Sequence, residues 1–337
     1  MLMLPALGAS AFSPPDSPDW AAIVHRVNSD PASTWRAAMP SARDVSRAAD
    51  LKGYKPLPAG YELPPLKVDG YSVDVSAVPK EYDARTAHPQ CASIQRVRDQ
   101  CGCGSCFAFG AIEAFEDRIC IHLGKNVTLS AEDIISCHDD ENMSCQGGNP
   151  IAVWQNIFAG KKEGDGAISD ACYPYSIPTC PCNHHSANSS LPHCPAEGTI
   201  STPTCDFGKK FSCEDKGIFR AQSANLIPAA SMEQELVSSG PITVAYTVYD
   251  DFLTYKSGVY VKGPDAKALG GHSVKIVGFG VDAASGLKFW TVANSWNSEW
   301  GDGGFFKIQR GTNECNIESD AVVAGLPEKA SSVEERA

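Results

Sequence analysis

The sequence predicts an α+β protein of two lobes, the first built on helices and the second on strands, with a cleft between them. Three observations carry this. Ala108, Ile112, Phe115 and Ile119 fall at helical spacing behind Cys106, and Gly124 ends the run. After Gly240-Pro241 the pattern turns β-rich, at Ile242–Tyr246, His272–Val277, Phe289–Ala293 and Phe305–Ile308. A chain of 337 residues is long enough to give both lobes a sizeable core.

Composition narrows the function classes. The net charge of −12 argues against nucleic acid or an anionic membrane as partner. The 14 cysteines, all but Cys315 between residues 91 and 213, argue for disulfides and an oxidising, secretory route. The acceptor sequons Asn126-Val-Thr, Asn142-Met-Ser and Asn188-Ser-Ser agree with that route. No stretch approaches the ~20 apolar residues of a membrane span.

In chain order, residues 1–11 read as a truncated signal-peptide remnant, apolar to Leu7 and followed by the small residues Ala9-Ser10-Ala11. Residues 12–77 hold no cysteine and are proline-rich around Pro56 to Pro65, with a short helix expected near Trp20 to Val27. A helix begins at or beside Cys106, where unpaired N–H groups and the helix dipole favour an anion, so a thiol there is pushed toward thiolate. A second helix is expected from Ser130, with Asp133 as its capping partner. The glycine turn Cys145-Gln146-Gly147-Gly148 follows. Residues 172–213 read as cysteine- and proline-rich loops around Asn183-His184-His185, and the tail 328–337 as polar and disordered.

A cysteine nucleophile needs a base, and the base needs an orienter. Gly270-Gly271-His272 offers the base at the head of a strand, and Asn294-Ser295-Trp296 the orienter at the end of another. Asn294 can accept the imidazole N–H, and Trp296 can shield that bond from water. Gln100, six residues before Cys106, can join the Cys106 N–H in an oxyanion hole.

Cys103-Gly104-Ser105-Cys106 fits the C-G-[SA]-C-[WY] signature of the papain and cathepsin cysteine proteases, and Phe107 departs at the last place. With Gln100, Cys106, His272 and Asn294 in that order, the chain resembles this family, and its cathepsin B-like branch in particular, from about Val78 to Pro327. The resemblance implies a papain-like fold with a helical left lobe, a β-barrel-like right lobe and the active site between. It implies a peptidase domain over residues 78–327, preceded by a propeptide over 12–77 in which Trp35 anchors the segment and which keeps the enzyme latent. It makes Gly147, Gly148, Gly271 and Trp296 substrate-binding, with the glycines antiparallel to the substrate backbone. It puts Asp320 at the floor of the S2 pocket, where a carboxylate admits arginine.

The histidine pair resembles an occluding loop over about 180–194. His184 and His185 would bind a substrate's terminal carboxylate and so favour release of C-terminal dipeptides, with Asp99 pairing His184 to pin the loop. Metal binding by His184, His185 and His193 is the weaker alternative, since the nearby cysteines suit disulfides better. A second loop-pinning arginine is missing, with Ser190 and Leu191 in its neighbourhood, so the loop would open more easily. The resemblance further implies the disulfides Cys91–Cys120, Cys103–Cys145, Cys137–Cys205, Cys172–Cys213, and either Cys180 or Cys182 with Cys194. Apart from Cys106, it leaves Cys101, Cys315 and one of Cys180 and Cys182 over.

No cofactor or metal is expected. Expected partners are protein and peptide substrates, the chain's own propeptide and cystatin-type inhibitors, in a lysosome-like acidic compartment or outside the cell. The competing reading is a non-catalytic, disulfide-rich secreted glycoprotein on a peptidase scaffold.

Overall fold

The computed structural model describes residues 18–41, 53–57, 78–138, 143–160, 165–177, 202–205 and 217–328. The signal-peptide remnant, the loop of residues 180–194 with His184, His185, Cys182 and Cys194, and all of the tail but Glu328 lie outside these residues.

The N-terminal segment contributes helix α1 (Trp20–Ser29), two residues longer than the sequence suggested. Asp19 caps it, accepting from the Ala22 N–H at 3.0 Å, and Ile23 and Val27 are its buried side. Strand β1 (Trp35–Ala37) follows. The next body opens with β2 (Tyr82–Asp83), α2 (Ala84–Ala87) and α3 (Ala92–Gln95). Helix α4 (Cys106–Leu123) then runs through the centre and ends on Gly124, whose φ of 68° suits a residue without a Cβ. Helix α5 (Ala131–Ser136) starts where Ser130 accepts from the Asp133 N–H at 3.0 Å. A single turn, α6 (Pro150–Ala152), continues as π-helix over Val153–Phe158.

The second half supplies β3 (Asn225–Leu226), α7 (Met232–Ser239), β4 (Ile242–Tyr249), β5 (Tyr255–Tyr260), β6 (Ala268–Val281), β7 (Lys288–Ala293), β8 (Phe305–Gln309) and β9 (Asp320–Ala324). Among the described residues they form one sheet in the order β1-β5-β8-β7-β6-β4-β9-β3, with β2 on β6. The expected barrel is corrected here: the sheet is an open path whose two edge strands, β1 and β3, lie at opposite ends. The 14-residue β6 is its spine, pairing with β4, β7 and β2.

Helix α4 is buried almost all round rather than along one stripe, which is why it carries charges inside. Three of them are held in ion pairs, and the fourth, Glu113, is pushed up to about 7 by burial, so that it can be buried uncharged. Glu116 meets Arg96 at 2.5 Å and Arg98 at 3.2 Å, Asp117 meets Lys275 of β6 at 2.8 Å, and Arg118 meets Glu235 of α7 at 2.8 Å. Gly110 lets the helix lie flat on β6, since a Cβ there would stand 2.6 Å from Ser273 Oγ and 3.0 Å from Val274 N. That contact brings the start of α4 beside the stretch that carries His272.

Candidate active site

Cys106 is the first residue of α4, fully buried and outside any disulfide. The N–H groups of Ser273, Phe107, Cys106 itself and Gly53 all donate toward its sulfur. The sulfur therefore lies against the strand residue next to His272. His272 is the fifth residue of β6 and equally buried, inside the strand rather than at its head, because the pairing with β4 reaches back to Ala268.

The imidazole is oriented on both faces and at one nitrogen. Nε2 lies 2.8 Å from Asn294 Oδ1. The Ser295 N–H donates to the same oxygen at 2.9 Å, so that atom is the acceptor and His272 carries its proton on Nε2. Nδ1 is then the basic nitrogen, and it makes no hydrogen bond among the described residues. Trp296 lies against the ring, centroids 4.8 Å apart and tilted 33°, and Tyr246 meets it edge-on at 5.7 Å. Asn294 follows directly on β7 as expected.

Gln100 is buried beside them. Its Nε2 donates to the Cys103 carbonyl at 3.0 Å, and its Oε1 accepts from Ser295 Oγ at 2.7 Å. One amide hydrogen remains for another acceptor. Ser295 thus links Asn294 to Gln100, a role the sequence motif contained but residue chemistry alone did not single out.

Gly53, from the N-terminal segment, closes the site. Its carbonyl accepts from the Gly148 N–H at 2.8 Å. The Tyr54 N–H donates to the Gly271 carbonyl at 3.1 Å, and the Lys55 N–H to the Gly148 carbonyl at 2.8 Å. Tyr54 forms a parallel bridge with Gly148 and an antiparallel one with Gly271. The segment is gripped through its backbone, and nothing in its side chains announces that from sequence. Lys55 passes over Gly147, and the Tyr54 phenol is pushed up to about 12, first by burial and then by the charge of Asp320. The Asp320 carboxyl is itself raised by burial. Farther out, β1 pairs antiparallel with β5, and Trp35 Nε1 donates to the Val261 carbonyl at 3.1 Å while its ring meets Tyr260 at 5.1 Å.

This cover reverses one electrostatic expectation. Burial pushes the Cys106 thiol up to about 12, against the N–H groups around it, and pushes His272 down to about 4, against its bond to Asn294. Beneath Gly53 the pair is a neutral thiol and a neutral imidazole, not thiolate and imidazolium, because each charge would have to leave water.

Three expected disulfides are present: Cys91–Cys120, Cys103–Cys145 and Cys137–Cys205. Cys172 is disulfide-bonded as well, and its expected partner Cys213 lies outside the described residues. The Asp99 carboxylate accepts from the Cys101 N–H at 2.9 Å and from Asn297 Nδ2 at 3.4 Å. Phe107 packs under Gly148, where a Cβ would come within 2.7 Å of the ring.

The family model described as papain family cysteine protease matches residues 78–325. The chain is 42% identical over 263 residues to "Cathepsin B-like cysteine proteinase 6" of Caenorhabditis elegans, covering 74% of this chain and 67% of that protein. It is 37% identical over 300 residues to "Cathepsin B" of Dictyostelium discoideum, covering 87% and 88% respectively. Among solved structures, proCathepsin B S9 from Trypanosoma congolense superposes with a TM-score of 0.73 at 29% identity, covering 91% of this chain and 98% of that one.

Proposed function

Since this chain belongs to the papain family of cysteine proteases, in its cathepsin B-like branch and in the form of a zymogen, we propose that it hydrolyses peptide bonds through Cys106, His272 and Asn294. The observation that carries the proposal is the orientation of His272. Asn294 fixes its proton on Nε2 and leaves Nδ1 as base, and the Cys106 sulfur lies against the N–H of Ser273, the next residue of the same strand.

Maturation separates residues 12–77 from the peptidase near Val78 and lifts Gly53 off the sulfur. With water readmitted, Nδ1 takes the thiol proton, and thiolate and imidazolium form. The thiolate adds to the scissile carbonyl while the Gln100 amide and the Cys106 N–H hold the oxyanion. His272 returns its proton to the leaving amine. Water, deprotonated by His272, then hydrolyses the thioester and frees the sulfur. Gly148 and Gly271 hold the substrate backbone, as they hold the propeptide backbone.

The finer reading is a peptidase with both endopeptidase and C-terminal dipeptide-releasing activity. His184 and His185 take the terminal carboxylate, and Asp99 pins their loop with one ion pair. Protein and peptide substrates and cystatin-type inhibitors meet the chain in a lysosome-like compartment or outside the cell. Among the described residues no helix is long and apolar enough to cross a membrane.

The test compares the full chain with its matured form on an internal-site peptide and on release of a C-terminal dipeptide. The matured enzyme cleaves both, an epoxide inhibitor labels it, and Cys106→Ala abolishes both reactions. An enzyme that neither cleaves nor is labelled would make the chain a non-catalytic glycoprotein on the same scaffold.

A further inference from the structure

The side chain of Tyr175 ties together the two ends of the loop that precedes the nucleophile. Its hydroxyl donates to the Gln100 carbonyl at 2.9 Å and lies 2.8 Å from Ser105 Oγ. Gln100 opens the loop and bears the side-chain amide. Ser105 closes it and is followed by the Cys106 N–H. An oxyanion pocket needs these two donors at a fixed separation, so the span between them matters more than either alone.

The loop does not hold that span by itself. Cys101, within it, sits at φ 55°, a conformation costly for a residue with a Cβ, and such strain persists only where surroundings enforce it. The Gln100 side chain is fixed by Cys103 and Ser295, and its bond to the Cys103 carbonyl ties only the first part of the loop, leaving Ser105 and the Cys106 N–H to be tied from outside. The Tyr175 ring is itself anchored, edge-on to Phe109 of α4 at 5.1 Å. Burial raises the phenol well above its usual value, so the hydroxyl stays protonated and remains a donor.

We propose that Tyr175 is a positioning residue for the oxyanion pocket, its hydroxyl setting the distance between the Gln100 side-chain amide and the Cys106 N–H. This rests on the peptidase reading above. It adds a residue 75 positions beyond Gln100, acting through the loop it bridges.

The test uses the full chain carrying Tyr175→Phe, which keeps the ring on Phe109, matured alongside the unaltered chain. kcat for a peptide substrate falls about 10-fold with KM within about twofold, and the Ki of a peptide aldehyde rises about 10-fold, because the aldehyde adduct needs the same pocket. Alkylation of Cys106 by iodoacetamide, which forms no oxyanion, keeps its rate. Ser105→Ala, cutting the other leg of the bridge, repeats the pattern. Unchanged kcat and aldehyde affinity in Tyr175→Phe overturn the proposal, and so does an equal fall in alkylation rate, the mark of a merely structural role. An unaltered chain inert toward substrate and aldehyde alike would overturn the peptidase reading, and this proposal with it.

Discussion

Gly53 lies so close over Cys106 that a Cβ on residue 53 would stand 2.6 Å from the sulfur and 2.4 Å from the Gly104 carbonyl oxygen. Such a contact cannot be relieved on the Gly104 side, since that atom is backbone. The propeptide therefore covers the sulfur with the one residue that has no side chain.

Gly53→Ala should lift the segment without touching the mature enzyme. The full chain should then hydrolyse peptide before any cleavage, and Cys106 should alkylate at least about 10-fold faster than in the unaltered zymogen, the equivalent of about 1.4 kcal/mol of lost cover. An alkylation rate equal to that of the unaltered zymogen would count against the seat described here.

Opening the zymogen should depend little on pH between about 6.5 and 4, because the proton count of the site does not change. In the closed form His272, lowered to about 4, is neutral, and Cys106, raised to about 12, holds the one proton. In the opened form the same proton sits on His272 and the sulfur is thiolate. Uptake at the imidazole and loss at the thiol cancel, so acid favours neither form. Epoxide labelling of the uncleaved chain should therefore keep one rate between pH 6.5 and 4. A rate that climbs steeply across that window would show that Cys106 keeps its proton on opening.

Trp35→Ala removes a buried ring from between Tyr255 and Tyr260 together with its bond to the Val261 carbonyl. The full chain should lose about 3–5 kcal/mol from the docking of its N-terminal segment, while the matured enzyme, lacking that segment, is unaffected. Thermal melting of the two forms separates these effects. Equal destabilisation of the full chain by a surface change such as Arg36→Ala would remove the special role of Trp35.

Asp320→Ala should reduce cleavage after Arg-Arg by about 10-fold or more and leave Phe-Arg substrates nearly unchanged, because only the first pair places a cation at P2. Tyr54 occupies the neighbourhood of this carboxylate in the zymogen, which fits a pocket that also accepts aromatic rings. Parallel losses on both substrates would show that the acid supports the fold instead.

Much of this arrangement was legible in the sequence because side chains wrote it. The helical spacing behind Cys106, the β-rich runs and the ordered Gln100, Cys106, His272 and Asn294 each use a distinctive residue type at a fixed place. What was not legible is carried by backbone or by distant partners. Gly53, Tyr54 and Lys55 bind Gly148 and Gly271 through main-chain bonds, and apart from the bare Gly53 those bonds call for no particular side chain. The burial of Glu116 and Asp117 depends on Arg96, Arg98 and Lys275, which only the folded chain brings near. The neutral state of the Cys106–His272 pair depends on a cover from residue 53, far from both in sequence.

The bridge from Tyr54 to Gly148 is parallel, the reverse of the antiparallel course that the family resemblance implies for a substrate at that glycine. The inhibitory strand thus threads the groove backwards, offering its amides in the wrong sense for attack. A molecule cannot sever itself where it is held. The first cut has to come from another copy or at an ungripped stretch, so in a purified preparation, where other copies supply that cut, activity should appear after a lag that shortens as the solution is made more concentrated.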